Sequence, residues 1–204
     1  MADMKTSSTI IEAVKEVCFE SATHKLAYFY FDFQNTEKQN MDITIRSLLR
    51  QLCAGEMQLP QEVQIMYDRY KGSGLRPTVE ELNLALLSLI DYLGKEIYII
   101  MDALDEFPEK SQDSNRQELL DQIKHMVEHP SQQLHILVTS RNEPDIRTTL
   151  SDLAGKGISI QSSKVDADIR LFVRTCLEKD PFHRLPVSVK KSIEARLGEG
   201  ACGM

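Results

Sequence analysis

Three acidic side chains that could hold a metal ion follow one apolar stretch of the sequence. Residues 97–101 are apolar or aromatic and include three isoleucines, and Asp102, Asp105 and Glu106 come directly after them. Magnesium ions in proteins prefer oxygen ligands and usually lie next to phosphate groups. A single acid here would indicate a helix cap, whereas three acids within five positions indicate a site for a metal ion and a polarised water molecule.

A polar cluster also ends a second apolar stretch. Residues 135–139 are interpreted as a buried strand, which Ser140 and Arg141 follow. Parallel strands deliver their carboxyl ends to one edge of a sheet, so we expect Arg141 at the same edge as the three acids. There a guanidinium group could contact phosphate oxygens while the acids hold the metal. The alternative is an ion pair between Arg141 and a nearby acid, Glu143 or Asp145.

Strands and helices alternate along the predicted chain. Apolar or aromatic runs predict strands at residues 26–33, 97–101, 135–139 and 157–160. Apolar residues at helical spacing predict helices at residues 7–18, 43–53, 60–70, 78–93, 119–127, 166–177 and 187–197. This order predicts an α/β fold in which helices cover both faces of a parallel sheet. Ligands of such folds bind at the carboxyl edge of the sheet.

The composition limits the classes of function. A net charge of −7 with interspersed Lys and Arg argues against binding to nucleic acid or to anionic membranes. The four cysteines have no CxxC spacing, which indicates reduced thiols in an intracellular protein. No apolar run approaches the roughly 18 residues that span a bilayer, and the first residues lack the apolar segment of a signal peptide. We therefore expect a cytoplasmic protein with neither nucleic acid nor membrane as a partner.

The motifs and their order resemble the NACHT module of STAND-type P-loop NTPases. The resemblance is carried by the aromatic stretch at 26–33, the segment 35–39, the segment 102–106 and the segment 139–141. It is to the fungal form, the nephrocystin-like N-terminal domain, and covers the chain from about residue 7. It implies a P-loop NTPase-like fold. It also implies a switch that uses ATP or GTP with Mg²⁺ to change shape and oligomerise, in proteins often joined to ankyrin repeats.

The resemblance also implies a role for each charged residue at the predicted edge. Asp102 is similar to the Walker B residue that binds Mg²⁺. Asp105 or Glu106 would position the attacking water molecule. Arg141 would act as the sensor near the γ-phosphate of the nucleotide.

The Walker A motif of this family, GxxxxGK[ST], is matched only at its end. Lys5 and Thr6 resemble its last two positions and would contact the nucleotide, but no glycine precedes them. We therefore expect the first strand and the Walker A loop to be missing from this chain. Because that loop supplies most of the contacts to phosphate, we expect nucleotide binding to be impaired, and whether the chain hydrolyses ATP or GTP stays open.

Two functions from different classes follow from this comparison. In the first, residues 1–180 are a truncated NACHT-type nucleotide-binding domain and residues 181–204 begin a helical or winged-helix unit, set off by Pro181 and Pro186. Such a switch would meet protein partners or itself through flanking domains. In the second, the chain is an interaction module that binds no nucleotide, or a remnant without function.

A competing motif suggests a zinc site. His125 and His129 match the H-x-x-E-H pattern of one class of zinc proteases, and helical spacing would place both histidines on one face. So short a pattern readily matches by accident. It also lies at the end of a predicted helix, directly before Pro130. The nucleotide-binding interpretation is therefore preferred.

Overall fold

The computed structural model describes residues 2–110, 115–130, 133–151, 153, 163–179 and 181–200. The chain divides into two compact units, Met1–Leu153 and Ala154–Met204. The predicted domain boundary at residue 180 stays a prediction, and the predicted strand at 157–160 lies outside the described residues.

The described part of the first unit contains three strands and six α-helices. The strands are β1 (His24–Tyr30), β2 (Glu96–Asp102) and β3 (Leu134–Val138). The helices are α1 (Ala2–Glu20), α2 (Met41–Cys53), α3 (Gln61–Tyr70), α4 (Val79–Leu93), α5 (Arg116–Val127) and α6 (Pro144–Ser151). Short 3₁₀ turns lie at Thr36–Gln39 and Leu104–Glu106.

The three strands form one parallel sheet in the order β1–β2–β3. Ala27 pairs with Ile99, which pairs with Ile136. The pairing of β2 with β3 continues beyond the strands, because the Thr139 N–H donates to the Met101 carbonyl at 3.0 Å. The predicted α/β fold is confirmed, and all three strands end at the same edge of the sheet.

The core lies mainly on one face of the sheet. Phe29, Ile99 and Met101 point to this face and join the apolar stripes of α2, α4 and α5 in one buried cluster. On the other face, α1 packs against β1 and β2, and Ile11 of α1 is 1% exposed. Helices therefore cover both faces of the sheet, as the alternating pattern predicts. Because β2 is buried on both faces, its sequence is almost continuously apolar.

The predicted start and end of α4 are confirmed. The Thr78 hydroxyl accepts the Glu81 N–H at 3.3 Å, and the Glu81 carboxylate accepts the Thr78 N–H at 3.0 Å. This reciprocal pair is a capping box. Gly94 follows the helix with φ of +54°, a conformation that glycine adopts without steric cost. The chain thereby turns directly into β2.

The structure differs from the sequence-based prediction in two places near the sheet edge. β1 ends at Tyr30 rather than at residue 33, and Phe33 is 60% exposed. Helix α6 was not predicted, because it is short and begins at a proline in a polar stretch. The segment after β1 and helix α6 each follow the end of a strand, and their conformation depends on contacts with other parts of the chain.

The second unit contains two helices in its described residues, α7 (Ser163–Leu177) and α8 (Val187–Gly200). They contact each other, and an ion pair of 2.6 Å joins Arg174 to Glu194. Phe172 is 60% exposed. None of the described helices is long and apolar enough to cross a membrane.

Candidate functional site

Asp102 is the last residue of β2 and is 3% exposed. The Thr139 hydroxyl donates to Asp102 Oδ1 at 2.5 Å. The same hydroxyl oxygen accepts the Ala103 N–H at 3.0 Å. Because Ala103 supplies a hydrogen to this oxygen, the hydroxyl's own hydrogen is directed at Asp102, which therefore acts as an acceptor. Thr139 thus orients the Asp102 carboxyl group at the edge of the sheet.

The backbone turns sharply after Asp102. Ala103 has φ of 58° and ψ of 48°, a left-handed conformation that costs a non-glycine residue roughly 1–2 kcal/mol. The 3₁₀ turn that follows is held by Leu104 and Phe107, whose side chains are both fully buried. These two apolar anchors offset the strain and hold Asp105 and Glu106 over the edge of the sheet.

Asp105 binds Arg141 with both carboxylate oxygens. Its Oδ1 accepts the Arg141 backbone N–H at 3.0 Å, and its Oδ2 lies 3.0 Å from Arg141 Nε. Arg141 therefore lies at the same edge as the acids, where the strand order predicts it. Its acidic partner is Asp105 rather than Glu143 or Asp145. The Asp105 side chain is 8% exposed and that of Arg141 is 52% exposed, so the guanidinium remains accessible from solvent.

Glu106 ties the loop after β1 to the same site. Its Oε2 accepts the Phe33 N–H at 3.1 Å. Gln39 then donates its side-chain N–H to the Phe33 carbonyl at 2.6 Å. Through these two contacts the segment after β1 is fixed beside the acids, and the exposed Phe33 ring lies at the rim of the site.

Arg116 is a functional candidate that the sequence-based reasoning missed. It begins α5 and is 7% exposed. Its Nη1 donates to the carbonyls of Asp105 and Phe107 at 3.0 and 3.1 Å, and its Nε donates to Asp145 Oδ2 at 2.7 Å. A signal was present in the sequence. Arg116 continues, one turn earlier, the stripe of Leu119, Leu120 and Ile123 that predicts the buried face of the helix.

The ion pair with Arg116 affects the titration of Asp145. Burial opposes ionisation of this carboxyl group, but the hydrogen bond from Arg116, the Ile146 N–H and the positive charge of Arg116 outweigh it. The pKa of Asp145 is therefore lower than its usual value. Asp145 stays ionised and available to Arg116 at any pH near neutrality.

These charged side chains surround an open groove of about 380 Å³. Its lining includes Phe33, Gln39, Asp105, Glu106, Glu109, Arg116, Arg141 and Glu143. A second groove of about 470 Å³ lies along the outer edge of β1, between Tyr28, Tyr30, Lys38 and Arg50. It contains none of the predicted site residues. We take the first groove as the candidate site, because Asp105, Glu106 and Arg141 line it, whereas Asp102 is buried at the end of β2 and is not part of its lining.

The remaining predicted ligands are Lys5, Thr6 and the histidines of the zinc pattern. Lys5 and Thr6 lie within α1, and their assignment to nucleotide binding stays a prediction. His129 Nε2 lies 3.5 Å from Asp91 Oδ2. In the part of the chain that the structure describes, no three His, Cys, Asp or Glu side chains group closely enough to hold a metal ion, so the zinc pattern gains no third ligand there.

Comparison with known families now adds to the geometry. The profile of the family "Nephrocystin 3, N-terminal" matches residues 5–141, which is more than half of the chain. The chain belongs to this nephrocystin 3 N-terminal family. No curated protein and no solved structure matched the chain. The segment matched to the nephrocystin 3 N-terminal family ends at Arg141 and includes Asp102, Asp105 and Glu106, so these four predicted site residues fall within it.

Proposed function

We propose that this chain is part of the nucleotide switch of a fungal STAND-type NTPase, a NACHT module with Asp102 as its Walker B residue. The proposal rests mainly on one observation. Asp102, Asp105 and Glu106 meet Arg141, which lies far from them in the sequence, at the carboxyl edge of one parallel sheet. This is the edge at which open α/β folds bind their ligands.

Asp102 is suited to hold Mg²⁺. Its carboxylate is a hard oxygen donor, it accepts from the Thr139 hydroxyl, and it stands at the end of a buried strand. Mg²⁺ usually takes only one or two carboxylates and fills its other positions with water and phosphate oxygens. A single acid therefore fits the requirement. When bound, the ion would neutralise charge on the phosphate groups.

The contacts of Asp105 and Glu106 distinguish their proposed roles. Asp105 uses both carboxylate oxygens on Arg141, whereas the hydrogen bond of Glu106 to Phe33 uses Oε2. We therefore assign the positioning of the attacking water to Glu106. Asp105 holds Arg141 in place, and a terminal phosphate would compete with Asp105 for this guanidinium group.

The 204 residues contain no GxxxxGK[ST] sequence. The backbone N–H groups and the lysine of that loop make charge-assisted hydrogen bonds to phosphate, each worth roughly 1.5–3 kcal/mol. Without them the acids bind only the metal. The 204 residues alone are therefore expected to bind Mg²⁺–nucleotide weakly and to hydrolyse it negligibly. The absent motif is also the observation that favours the second function, a protein-interaction module independent of nucleotide.

Calorimetric titration with MgATP and MgGTP tests the proposal. Two proteins are compared: the chain itself, and a fusion in which a strand and Walker A loop from a complete family member precede it. We expect the fusion to bind at least about a hundredfold more tightly. Asp102→Asn should abolish the Mg²⁺-dependent part of that affinity, while Asp68→Asn, at an exposed acid of α3, should not.

Two results would contradict the proposal. One is a folded fusion that binds neither nucleotide, which would leave the interaction module as the better function. The other is micromolar binding by the unmodified chain that Asp102→Asn does not change, which would place the nucleotide elsewhere.

A further inference from the structure

Arg116 joins the two loops that carry the charged groups of the site. One loop follows β2 and bears Asp105 and Glu106, and the other follows β3 and bears Arg141. The guanidinium group of Arg116 donates to backbone carbonyls of the first loop and to Asp145, which lies just after the second. Among the described side chains that line the groove, only Arg116 makes hydrogen bonds to both of these segments, while Asp105 of the first loop contacts Arg141 of the second directly.

The two carbonyl contacts fix the backbone on both sides of Glu106. Arg116 Nη1 lies 3.0 Å from the carbonyl oxygen of Asp105 and 3.1 Å from that of Phe107. A planar guanidinium holds several acceptors in one fixed arrangement, unlike the ammonium group of lysine. The peptide units that flank Glu106 therefore cannot rotate without breaking at least one of these hydrogen bonds, and the direction of the Glu106 side chain is set.

The contact with Asp145 fixes the second loop. Asp145 lies in the first turn of α6, and the Glu143 N–H donates to the Arg141 carbonyl at 2.9 Å. Holding Asp145 therefore restrains the short segment between Arg141 and α6. Arg116 thus determines how far the loop with Glu106 lies from the loop with Arg141.

The ion pair with Asp145 by itself gives little reason for a buried arginine at this place. Replacing a buried ion pair by well-packed apolar side chains is often neutral or stabilising, because the desolvation of two charges offsets their attraction. The next residues of the same stripe, Leu119, Leu120 and Ile123, are apolar. An arginine in this stripe is explained by the geometry that it imposes on its three acceptors.

We propose that Arg116 is a positioning residue of the site, which holds Asp105 and Glu106 at a fixed distance from Arg141. This inference rests on the proposed nucleotide-binding function for its purpose, but the geometry can be tested without nucleotide. The backbone N–H groups of Phe33 and Arg141 report it, because they donate to Glu106 and Asp105 respectively.

Hydrogen exchange of individual amides in the 204-residue chain is the test. In Arg116→Gln we expect the Phe33 and Arg141 amides to exchange about tenfold faster, while the amides of Ile99 and Ile136 in the strands keep their rates. Arg116→Lys should give the same result, because one ammonium group cannot reproduce the planar set of contacts. Asp145→Asn should accelerate the Arg141 amide. The control is Arg46→Lys, which weakens the Arg46–Asp42 ion pair on α2.

The outcomes separate positioning from support of the fold. Equal acceleration at the strand amides in both Arg116→Lys and Asp145→Asn, or no change at Phe33 and Arg141, overturns the inference. If Arg116→Gln does not fold, Arg116→Lys and Asp145→Asn decide the question.

In the fusion with a Walker A loop, Arg116→Lys should also weaken MgATP binding about tenfold. A wild-type fusion that binds no MgATP refutes the proposed function, whereas unchanged MgATP affinity in the variant of a binding fusion refutes only the positioning role.

Discussion

The two ends of the same three strands carry charged networks of opposite design. At the amino end, Glu56 Oε1 lies 2.7 Å from both Lys25 Nζ and Lys95 Nζ, and Lys25 also donates to the Ala54 carbonyl. At the carboxyl end, four acids and two arginines line an open groove, beside a residue in the left-handed conformation.

The difference shows which end is arranged for a ligand. The charged groups at the amino end bind one another, which holds the first residues of β1 and β2 together. At the carboxyl end, apolar anchors and Arg116 hold the acids in place, and the Arg141 side chain stays 52% exposed. The first network serves the fold, and the second holds charges in position at the cost of backbone strain.

The largest effect on stability is expected when the amino-end network is broken. Glu56→Ala leaves two lysines without their shared acceptor, and their side chains are only 16% and 25% exposed. We expect a loss of about 2–3 kcal/mol in the free energy of unfolding, since an uncompensated partly buried charge is costly. Urea unfolding measures it. Unchanged exchange of the Arg141 amide in this variant would confirm that the two ends are independent, and acceleration there would contradict it.

A smaller loss is expected from Thr139→Val at the carboxyl end. The substitution preserves shape but removes the hydroxyl that donates to Asp102 and accepts from Ala103. We expect about 2 kcal/mol, because the hydrogen bond to the buried Asp102 carboxyl group is lost and a backbone N–H is left without its acceptor. The same unfolding experiment applies, with Thr148→Val as the control, since the Thr148 hydroxyl is an exposed donor to a backbone carbonyl of α6. Equal effects of the two substitutions would contradict the account of Asp102.

Ala103→Gly should have an effect of opposite sign. Glycine adopts the left-handed conformation without the steric cost that alanine bears, although it loses more backbone entropy on folding. We expect the free energy of unfolding to rise by about 0.5–1 kcal/mol. Differential scanning calorimetry, which compares the Tm of the variant with that of the unmodified chain, measures the effect. A lower Tm would mean that Ala103 is not strained.

The smallest expected effect is a dependence of stability on pH, to which one carboxyl group at each end of the sheet contributes. Hydrogen bonds from Lys25 and Lys95 lower the pKa of Glu56 below its usual value of 4.5, and the pKa of Asp145 is lowered from 3.8. A carboxyl group with a lowered folded-state pKa stabilises the protein fully above its unfolded-state pKa. That contribution is lost as the pH falls through the folded-state pKa, so stability should decline below about pH 4.5.

Single substitutions assign this pH dependence. Glu56→Gln should remove the part contributed by the amino end, and Asp145→Asn the part contributed by the carboxyl end. Urea unfolding between about pH 3 and pH 7, a range that spans the titration of carboxyl groups, measures both contributions. A decline that neither substitution reduces would exclude these two groups as its source.

The fold and the meeting of the acids with Arg141 could be predicted from the sequence because they follow from the strand pattern. Buried parallel strands have continuous apolar sequences, and their carboxyl ends share one edge. The partner of Arg141 could not be chosen in advance. Asp105, Glu143 and Asp145 are all within reach of a flexible side chain, and the left-handed turn at Ala103 decides among them.

The roles of Arg116 and Thr139 were missed for a related reason. Both act through contacts with residues that are distant in sequence, such as the pairing of Thr139 with Asp102 across the sheet. Periodicity predicts which face of a helix is buried but not which backbone carbonyls lie opposite it. A charged residue within a predicted apolar stripe, as at Arg116, is the local signal that such carbonyls are present.

The comparison of the two ends is tested most directly by one titration of MgATP into the fusion with a Walker A loop. Asp102→Asn and Glu56→Gln are measured side by side, each with its Tm. We predict that Asp102→Asn abolishes Mg²⁺-dependent binding with little change in Tm, and that Glu56→Gln lowers Tm while the affinity stays the same. Loss of binding in Glu56→Gln at a temperature where the protein is folded, or full affinity in Asp102→Asn, would contradict the assignment of the carboxyl edge as the nucleotide site.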